Sequence, residues 1–249
     1  MRSATRVTDS FCQLTSLETF TMSECGEMDQ LPNRFCNLTS LQTLCIVHIE
    51  EWEDFPIPEC IAGFPQLHTL YLKRVSVHQL LPSLPRLTSL TRLELDSCQM
   101  EEDLPRDLGK LSNLQQLHIR SCPIRKLPAS FTALTSLQTL TIEHCNQLTL
   151  ELPSRVTFLP DLSMLLDLRR LTLKLYGTGQ GAAGIGSSRS PRLNRLQNVE
   201  YLNLTLGAAV EKFPFPRFPF PQLRILKISF GDQIQRLPSN LGFDLPQLR

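Results

Sequence analysis

One pattern of apolar and polar residues recurs along the chain. The segments 111–122 and 134–145 align position for position, and both read Leu-x-x-Leu-x-x-Leu-x-Ile-x-x-Cys. Neighbouring copies begin 23 to 31 residues apart, and most of these spacings fall in the range of about 20–29 residues typical of leucine-rich repeats. The frame fits nine segments, the last three less closely: 14–25, 38–49, 64–75, 87–98, 111–122, 134–145, 165–176, 196–207 and 220–231.

The centre of each frame predicts a β-strand. In Gln116-Leu117-His118-Ile119-Arg120 apolar and polar residues alternate, which is the period of a strand with one buried face. Leu117 and Ile119 are expected to point into a core, with Gln116, His118 and Arg120 pointing out.

A Leu-Pro or Phe-Pro step follows eight of the nine predicted strands, as in Leu104-Pro105 and Leu127-Pro128. Proline lacks an N–H, so it ends strand pairing and suits the first turn of a helix. After Pro105, Leu108 and Leu111 continue an i, i+4, i+7 apolar spacing that begins at Leu104. Each repeat is therefore predicted to be a strand, a turn, a short helical or 3₁₀ segment, and a return.

These elements predict an α/β fold, the horseshoe-shaped leucine-rich-repeat solenoid. A curved parallel sheet would form its concave face, with short helical, 3₁₀ or loop segments on the convex face, and stacked repeats would bury one another's leucines. We expect a single domain over 1–249 with about nine repeats, incomplete at both ends. Residues 177–191 are expected to be a flexible Gly/Ser-rich insertion.

The composition and charge of the chain argue against some classes of binding partner. The formal net charge is +1, with 25 Lys and Arg against 24 Asp and Glu, so no strong field favours nucleic acid or anionic lipid. No stretch approaches the roughly 18 apolar residues of a membrane helix, and the first ten residues lack the apolar core of a secretory signal. We expect a cytoplasmic protein without nucleic-acid or membrane partners.

No catalytic or cofactor site is predicted, so the chain is not expected to be an enzyme. The 8 cysteines form no C-x₂-C pair of zinc-site spacing, and we expect reduced thiols that pack as small apolar groups. Gly179, Gly181 and Gly184 match G-x-G-x-x-G, but linker-like residues follow where a dinucleotide site needs a helix. Neither cofactor nor metal is expected.

The outward strand positions are the predicted contact surface, because the core does not need their side chains. Tyr and Arg are common in binding hot spots. Charges at the last outward position alternate in sign from Lys73 to Lys174, so this face could equally be self-neutralised. The candidate partner-binding residues are Tyr71, Lys73, Arg92, Glu94, Gln116, His118, Arg120, Glu143, Arg170 and Tyr201.

Segments 31–44 and 127–142 share Leu-Pro-x-x-Phe followed by Leu-Thr-Ser-Leu-Gln-Thr-Leu. They resemble the repeats of plant nucleotide-binding disease-resistance proteins. The resemblance implies a region that senses a pathogen-derived or host protein and contacts a nucleotide-binding switch elsewhere in a full-length protein. The alternatives are a substrate adaptor of a ubiquitin ligase, or a fragment of an extracellular leucine-rich-repeat receptor or inhibitor.

Overall fold

The computed structural model describes residues 10–23, 30–48, 55–145, 162–175, 196–206 and 220–230. In these ranges, strands and short 3₁₀ segments account for all regular structure. The strands are β1 Thr19–Ser23, β2 Thr43–Val47, β3 Thr69–Lys73, β4 Arg92–Asp96, β5 Gln116–Arg120, β6 Thr139–Glu143, β7 Arg170–Leu175, β8 Tyr201–Leu206 and β9 Ile225–Phe230. The 3₁₀ segments are Phe11–Gln13, Phe35–Asn37, Glu59–Gly63, Leu81–Arg86, Leu108–Lys110, Ala129–Ala133 and Leu162–Met164.

All nine strands form one parallel sheet in sequence order, β1 to β9. Equivalent repeat positions pair throughout, so Leu93 lies opposite Leu117, which lies opposite Leu140. The register also survives the two longest spacings, because Leu140 pairs with Leu171 and Leu171 with Leu202. The predicted leucine-rich-repeat solenoid is thereby confirmed.

The core lies between the sheet and the 3₁₀ segments. The apolar strand residues are buried, with Leu117, Ile119 and Leu140 at 0% exposure. Fully burying such a side chain contributes about 1.5–3 kcal/mol relative to leaving it exposed. Phe35, from a Leu-Pro-x-x-Phe step, packs edge-on against Phe20, with ring centroids 5.3 Å apart. The repeats therefore share one continuous core.

A left-handed residue ends four of the strands. Arg74, Ser97, Ser121 and His144 directly follow β3, β4, β5 and β6, and their φ values lie between 50° and 56°. This conformation is uncommon for residues other than glycine. The left-handed residue interrupts the strand's alternation, so that the side chain after it enters the core. That next residue is buried in every case: Val75, Cys98, Cys122 and Cys145.

The seven described segments on the other side of the coils are 3₁₀ rather than α-helical. The apolar spacing from Leu104 yields only the segment Leu108–Lys110, whose end is closed by the Leu111 N–H bonding to the Leu108 carbonyl. Adjacent 3₁₀ segments contact each other closely. Gly109 N–H donates to the hydroxyl of Ser130 in the next coil at 3.1 Å.

Candidate functional site

The concave face consists of the first, third and fifth side chains of each strand. Alternate residues point into the core, as in β1, β2, β3 and β5, where exposed or half-buried positions flank buried ones. The parallel register therefore sets these side chains in three columns across the sheet. All ten predicted contact residues lie in these columns.

Glu94 is the centre of a charged cluster in the middle of this face. It is a buried residue at 9% exposure, although sequence analysis placed it among the contacts. Arg92 donates to its carboxylate from Nε at 2.7 Å and also from Nη2, and Arg120 of β5 lies 3.7 Å away. A buried carboxylate needs such partners to offset its lost hydration. Glu94 therefore organises the face more than it presents itself to a ligand.

Ion pairs connect most of the fifth-position column. Lys73 Nζ lies 3.0 Å from Asp96, Arg120 Nε 3.3 Å from Glu143, and Lys174 Nζ 3.2 Å from the same carboxylate. The alternation of charge predicted this pairing. One step of it is shifted, because the second carboxylate near Arg120 is Glu94 and not Asp96. The central face is thus largely self-neutralised.

Burial perturbs three titratable groups of the middle column, and it raises the pKa of the first of them, the Cys45 thiol. Burial raises the pKa of the Tyr71 phenol, with Lys73 opposing the shift and Asp96 adding to it. Burial lowers the pKa of the His118 imidazole below its usual range. His118 is only half-buried, yet its Nδ1 is enclosed without a hydrogen-bond partner. His118 therefore faces the concave side as expected, but it is partly enclosed there and not fully exposed.

The last three strands carry a different arrangement. The Tyr201 ring of β8 has a cation on each neighbouring strand: the Arg170 guanidinium lies 6.0 Å from its centroid and the Lys227 ammonium 5.8 Å. Both distances fit cation–π contacts. Ile225, directly opposite Tyr201, is 49% exposed. Exposed apolar surface lies here beside two cations that have no carboxylate partner among the described residues, and this distinguishes this part of the face.

The candidate contacts omitted Asp96, Lys174, Ile225 and Lys227, although the alternation of charge had already placed Lys174 on this face. Asp96 and Lys174 complete the ion-paired column, and Ile225 and Lys227 extend the columns onto β9. The frame 220–231 contained the signal for the last two, because it assigns Ile225 and Lys227 to outward positions. Of the predicted set, the structure joins Arg92, Glu94, Arg120 and Glu143 in one cluster and Arg170 with Tyr201 in another.

The repeated cysteines are structural. Cys98 Sγ donates to the Leu72 carbonyl at 3.3 Å, and Cys122 Sγ to that of Arg120 at 3.2 Å. A hydrogen bond with Cys98, together with burial, raises the pKa of Cys122, and burial raises that of Cys145 to about 12. Neutral thiols of this kind pack as small apolar groups. Cys25, the G-x-G-x-x-G glycines and the predicted insertion 177–191 lie outside the described residues.

One pair of cysteines corrects the expectation that every thiol is free. Cys36 and Cys60 form a disulfide, with Cα atoms 5.8 Å apart. They are 24 residues apart, and the bond joins two consecutive 3₁₀ segments. The sequence signal for this disulfide was its separation of one repeat, because stacking brings residues one period apart into contact. The bond ties adjacent coils together on the side away from the sheet.

The described residues also bear on metal binding and membrane insertion. Over the described ranges, no group of three or more His, Cys, Asp or Glu side chains is placed to hold a metal ion. Nor do those ranges contain a helix with the length and apolar character needed to cross a membrane.

The match to a known family is decisive for identity. Residues 57–249 match the family described as "Leucine-rich repeat region". The chain belongs to the leucine-rich-repeat family. Solved structures agree on the fold: this leucine-rich-repeat chain superposes on a TDR receptor with a TM-score of 0.61 over 97% of its length and 40% of the receptor chain, at 16% identity. The PEPR1-AtPEP1 structure gives 0.53 over 88% of this chain and 32% of that one, at 17% identity.

Curated relatives of this leucine-rich-repeat chain are disease-resistance proteins. It is 38% identical to disease resistance protein RPP2A of Arabidopsis thaliana over 89 residues, which are 36% of this chain and 6% of the relative. It is 28% identical to TMV resistance protein N of Nicotiana glutinosa over 156 residues, 60% of this chain and 13% of the relative. The resemblance to plant disease-resistance repeats is confirmed. The chain matches only a small part of each relative, and its fold is that of a protein-interaction scaffold.

Proposed function

We propose that the concave face senses a pathogen-derived or host protein on behalf of a plant disease-resistance protein. The observation that carries the proposal is the nine-stranded face itself, whose side chains are ordered by register and by ion pairs but are not needed in the core. The relatedness to RPP2A and the N protein favours a role in defence.

The ten predicted residues remain the proposed contacts, with different tasks. Tyr71, Gln116 and His118 line the middle of the face and would meet the ligand directly. Arg92, Glu94 and Arg120 would hold the surface rigid, which lowers the entropy cost of binding. Lys73, Glu143, Arg170 and Tyr201 lie toward the two sides of this centre. The proposed function involves neither catalysis nor a cofactor.

In a full-length protein, we expect a nucleotide-binding switch domain to contact this region and to respond when the ligand binds. The location proposed for such a protein is the cytoplasm. Signal transduction would then consist of a change in that interdomain contact.

Site-specific photo-crosslinking tests the proposal. A crosslinking amino acid replaces Tyr71 or Gln116 in the full-length protein, expressed in leaf tissue with and without infection. Matched controls carry it at Arg86 or Lys110, in 3₁₀ segments away from the sheet. We expect the concave positions to give a protein adduct whose amount changes on infection. Adducts from the control positions alone would contradict the proposal.

An extracellular receptor fragment is the second candidate, and the Cys36–Cys60 disulfide favours it. Disulfides persist in oxidising compartments and are rare in the cytosol. Rapid acid quenching of the expressing cells, followed by alkylation and mass spectrometry, distinguishes the two. Reduced Cys36 and Cys60 in the cell support the cytoplasmic protein, whereas a fully formed bond supports the extracellular one.

A further inference from the structure

The charges of the concave face are unevenly distributed. Strands β4 to β6 place two arginines and three carboxylates on it, and those five groups all take part in ion pairs. Strands β7 to β9 place three cations on it, Arg170, Lys174 and Lys227, and no carboxylate. One end of the face therefore carries excess positive charge although the chain as a whole is nearly neutral.

Of these three cations, only Lys174 has an acidic partner among the described residues, Glu143 of β6. Arg170 and Lys227 contact the Tyr201 ring instead. A cation–π contact restrains the direction of a cation without neutralising its charge. Both charges are thus held in position and remain available to an anion.

The positions of the two cations set the distance between the negative charges of a matching ligand. Each cation lies within 6.0 Å of the same ring centroid, so the two charges are at most about 12 Å apart. An extended peptide rises about 3.3 Å per residue. Two carboxylates four residues apart lie on the same side of an extended peptide and would reach both cations at once. The residues between them would pass over Tyr201 and Ile225.

The exposed apolar surface beside Tyr201 places a second requirement on the ligand. Ile225 is 49% exposed although it lies directly opposite Tyr201. A phosphate backbone gains nothing from an isoleucine, whereas a leucine or phenylalanine side chain would bury part of it. Tight nucleic-acid binding also draws on several phosphate contacts. Among the described residues of this part of the face, only Arg170 and Lys227 are cations without an acidic partner.

We propose that the basic patch, defined as Arg170, Tyr201, Ile225 and Lys227, binds an acidic segment of a partner protein. That segment carries two carboxylates four residues apart and an apolar side chain midway between them, on the same side of the extended chain. The inference rests on the proposed function, since it names the chemistry of the ligand for one end of the concave face.

Fluorescence anisotropy with a defined probe tests this inference. The probe is a fluorescein-labelled peptide containing Glu-Ala-Leu-Ala-Glu, with a Gln-Ala-Leu-Ala-Gln peptide and a labelled twelve-residue oligothymidylate as comparisons. The titrated protein is the full chain, either unchanged or carrying Arg170→Gln, Lys227→Gln or both. Lys110→Gln is the matched control, because Lys110 is exposed and lies in a 3₁₀ segment.

We expect each single substitution to weaken binding of the acidic peptide about two- to fivefold, in line with exposed charge pairs, and the double substitution to weaken it roughly tenfold. Lys110→Gln should leave binding unchanged. Raising the salt concentration should weaken binding, because the contact is exposed. Circular dichroism of each variant verifies that the fold is retained.

The inference would be overturned by no binding of the acidic peptide, by equal binding of the glutamine peptide, or by equal binding by the double variant. Stronger binding of oligothymidylate would assign the patch to nucleic acid instead. The crosslinking experiment distinguishes failure of the proposed function from failure of this inference. If Tyr71 and Gln116 capture a protein equally in the double variant, the proposed function stands and this inference fails. If the peptide binds but no concave position captures a protein, the proposed function fails alone.

Discussion

Arg120 and Glu94 meet diagonally across β4 and β5, with Nη1 of the guanidinium 3.7 Å from the carboxylate, although His118 is the residue directly opposite Glu94. Arg120 also lies 3.3 Å from Glu143 on the following strand. One half-exposed cation thus links carboxylates from two neighbouring repeats. Sequence reasoning alone would treat Arg120 as an ordinary surface residue, for which substitution changes stability by at most about 0.5 kcal/mol.

Replacing Arg120 by alanine is expected to lower the free energy of unfolding by about 1 kcal/mol, because Glu94 stays largely enclosed after losing one of its two partners. Urea unfolding followed by circular dichroism measures the change. Arg170→Ala is the control, since that arginine faces the same side without a carboxylate among the described residues. Equal losses in the two variants would show that the ion pairs of Arg120 contribute no more than the contact of Arg170 with the Tyr201 ring.

The sequence was sufficient to predict the faces of the strands, because alternation such as Leu117-His118-Ile119 depends only on the two-residue period of a strand. It also predicted the columns, since one repeat advances the chain by one strand. The diagonal reach of Arg120 to Glu94 could not be predicted in that way. It depends on the direction that the Arg120 side chain takes once Asp96 is paired with Lys73, and the repeat frame does not fix that direction.

The Cys36–Cys60 bond and the Tyr201 cluster show the same limit. Column positions brought Arg170 and Tyr201 together correctly, but the contact of Lys227 with that ring comes from the next strand over, two residues off the direct opposite position. Such contacts require the three-dimensional arrangement of three strands. Nothing in the linear spacing fixes the direction of a lysine side chain.

Gly109 offers a test of the close packing between 3₁₀ segments. A Cβ built there would overlap the carbonyl oxygen of Ser130 and lie 2.9 Å from the Cβ of Ala133. Because the obstacle is backbone, Gly109→Ala should destabilise the chain by about 1–3 kcal/mol, as overpacking does. Thermal unfolding monitors this directly.

Gly63 supplies the matched control, because it also lies in a 3₁₀ segment and a Cβ there would meet nothing within 4 Å. Gly63→Ala should be neutral or should stabilise the chain by up to about 1 kcal/mol through reduced unfolded-state entropy. A Gly109 variant as stable as the Gly63 variant would mean that neighbouring coils are packed less tightly than the structure indicates.

Ser121 tests the left-handed strand ending. Its φ is 50°, and its N–H donates to the Glu143 carbonyl at 2.9 Å. A β-branched residue is poorly tolerated at positive φ, so Ser121→Val should cost about 1–2 kcal/mol, and Ser121→Gly should be neutral or mildly stabilising. Ser112→Val serves as control, since Ser112 is exposed and has a negative φ. Chemical denaturation of the three variants would give equal midpoints if the conformation at 121 imposed no constraint.

Acidification should destabilise the chain through His118. Burial lowers the pKa of its imidazole, and the positive charges of Arg120 and Arg92 lower it further, while Glu94 and Glu143 oppose the shift. A base whose folded pKa is depressed binds fewer protons than in the unfolded chain. The neutral imidazole therefore contributes stability above the unfolded value near 6.5, and this contribution is lost as the pH falls through the folded pKa.

Unfolding free energies measured from pH 7.5 to pH 5 should fall less steeply in His118→Gln than in the unchanged protein, because glutamine does not titrate. NMR titration should place the midpoint of the His118 ring signals below 6.5. The enclosed Nδ1 gives the physical reason, since protonation would bury a second N–H donor without an acceptor. A midpoint above 6.5 would mean that the carboxylates of Glu94 and Glu143 outweigh burial, and it would reverse the expected direction of the pH dependence.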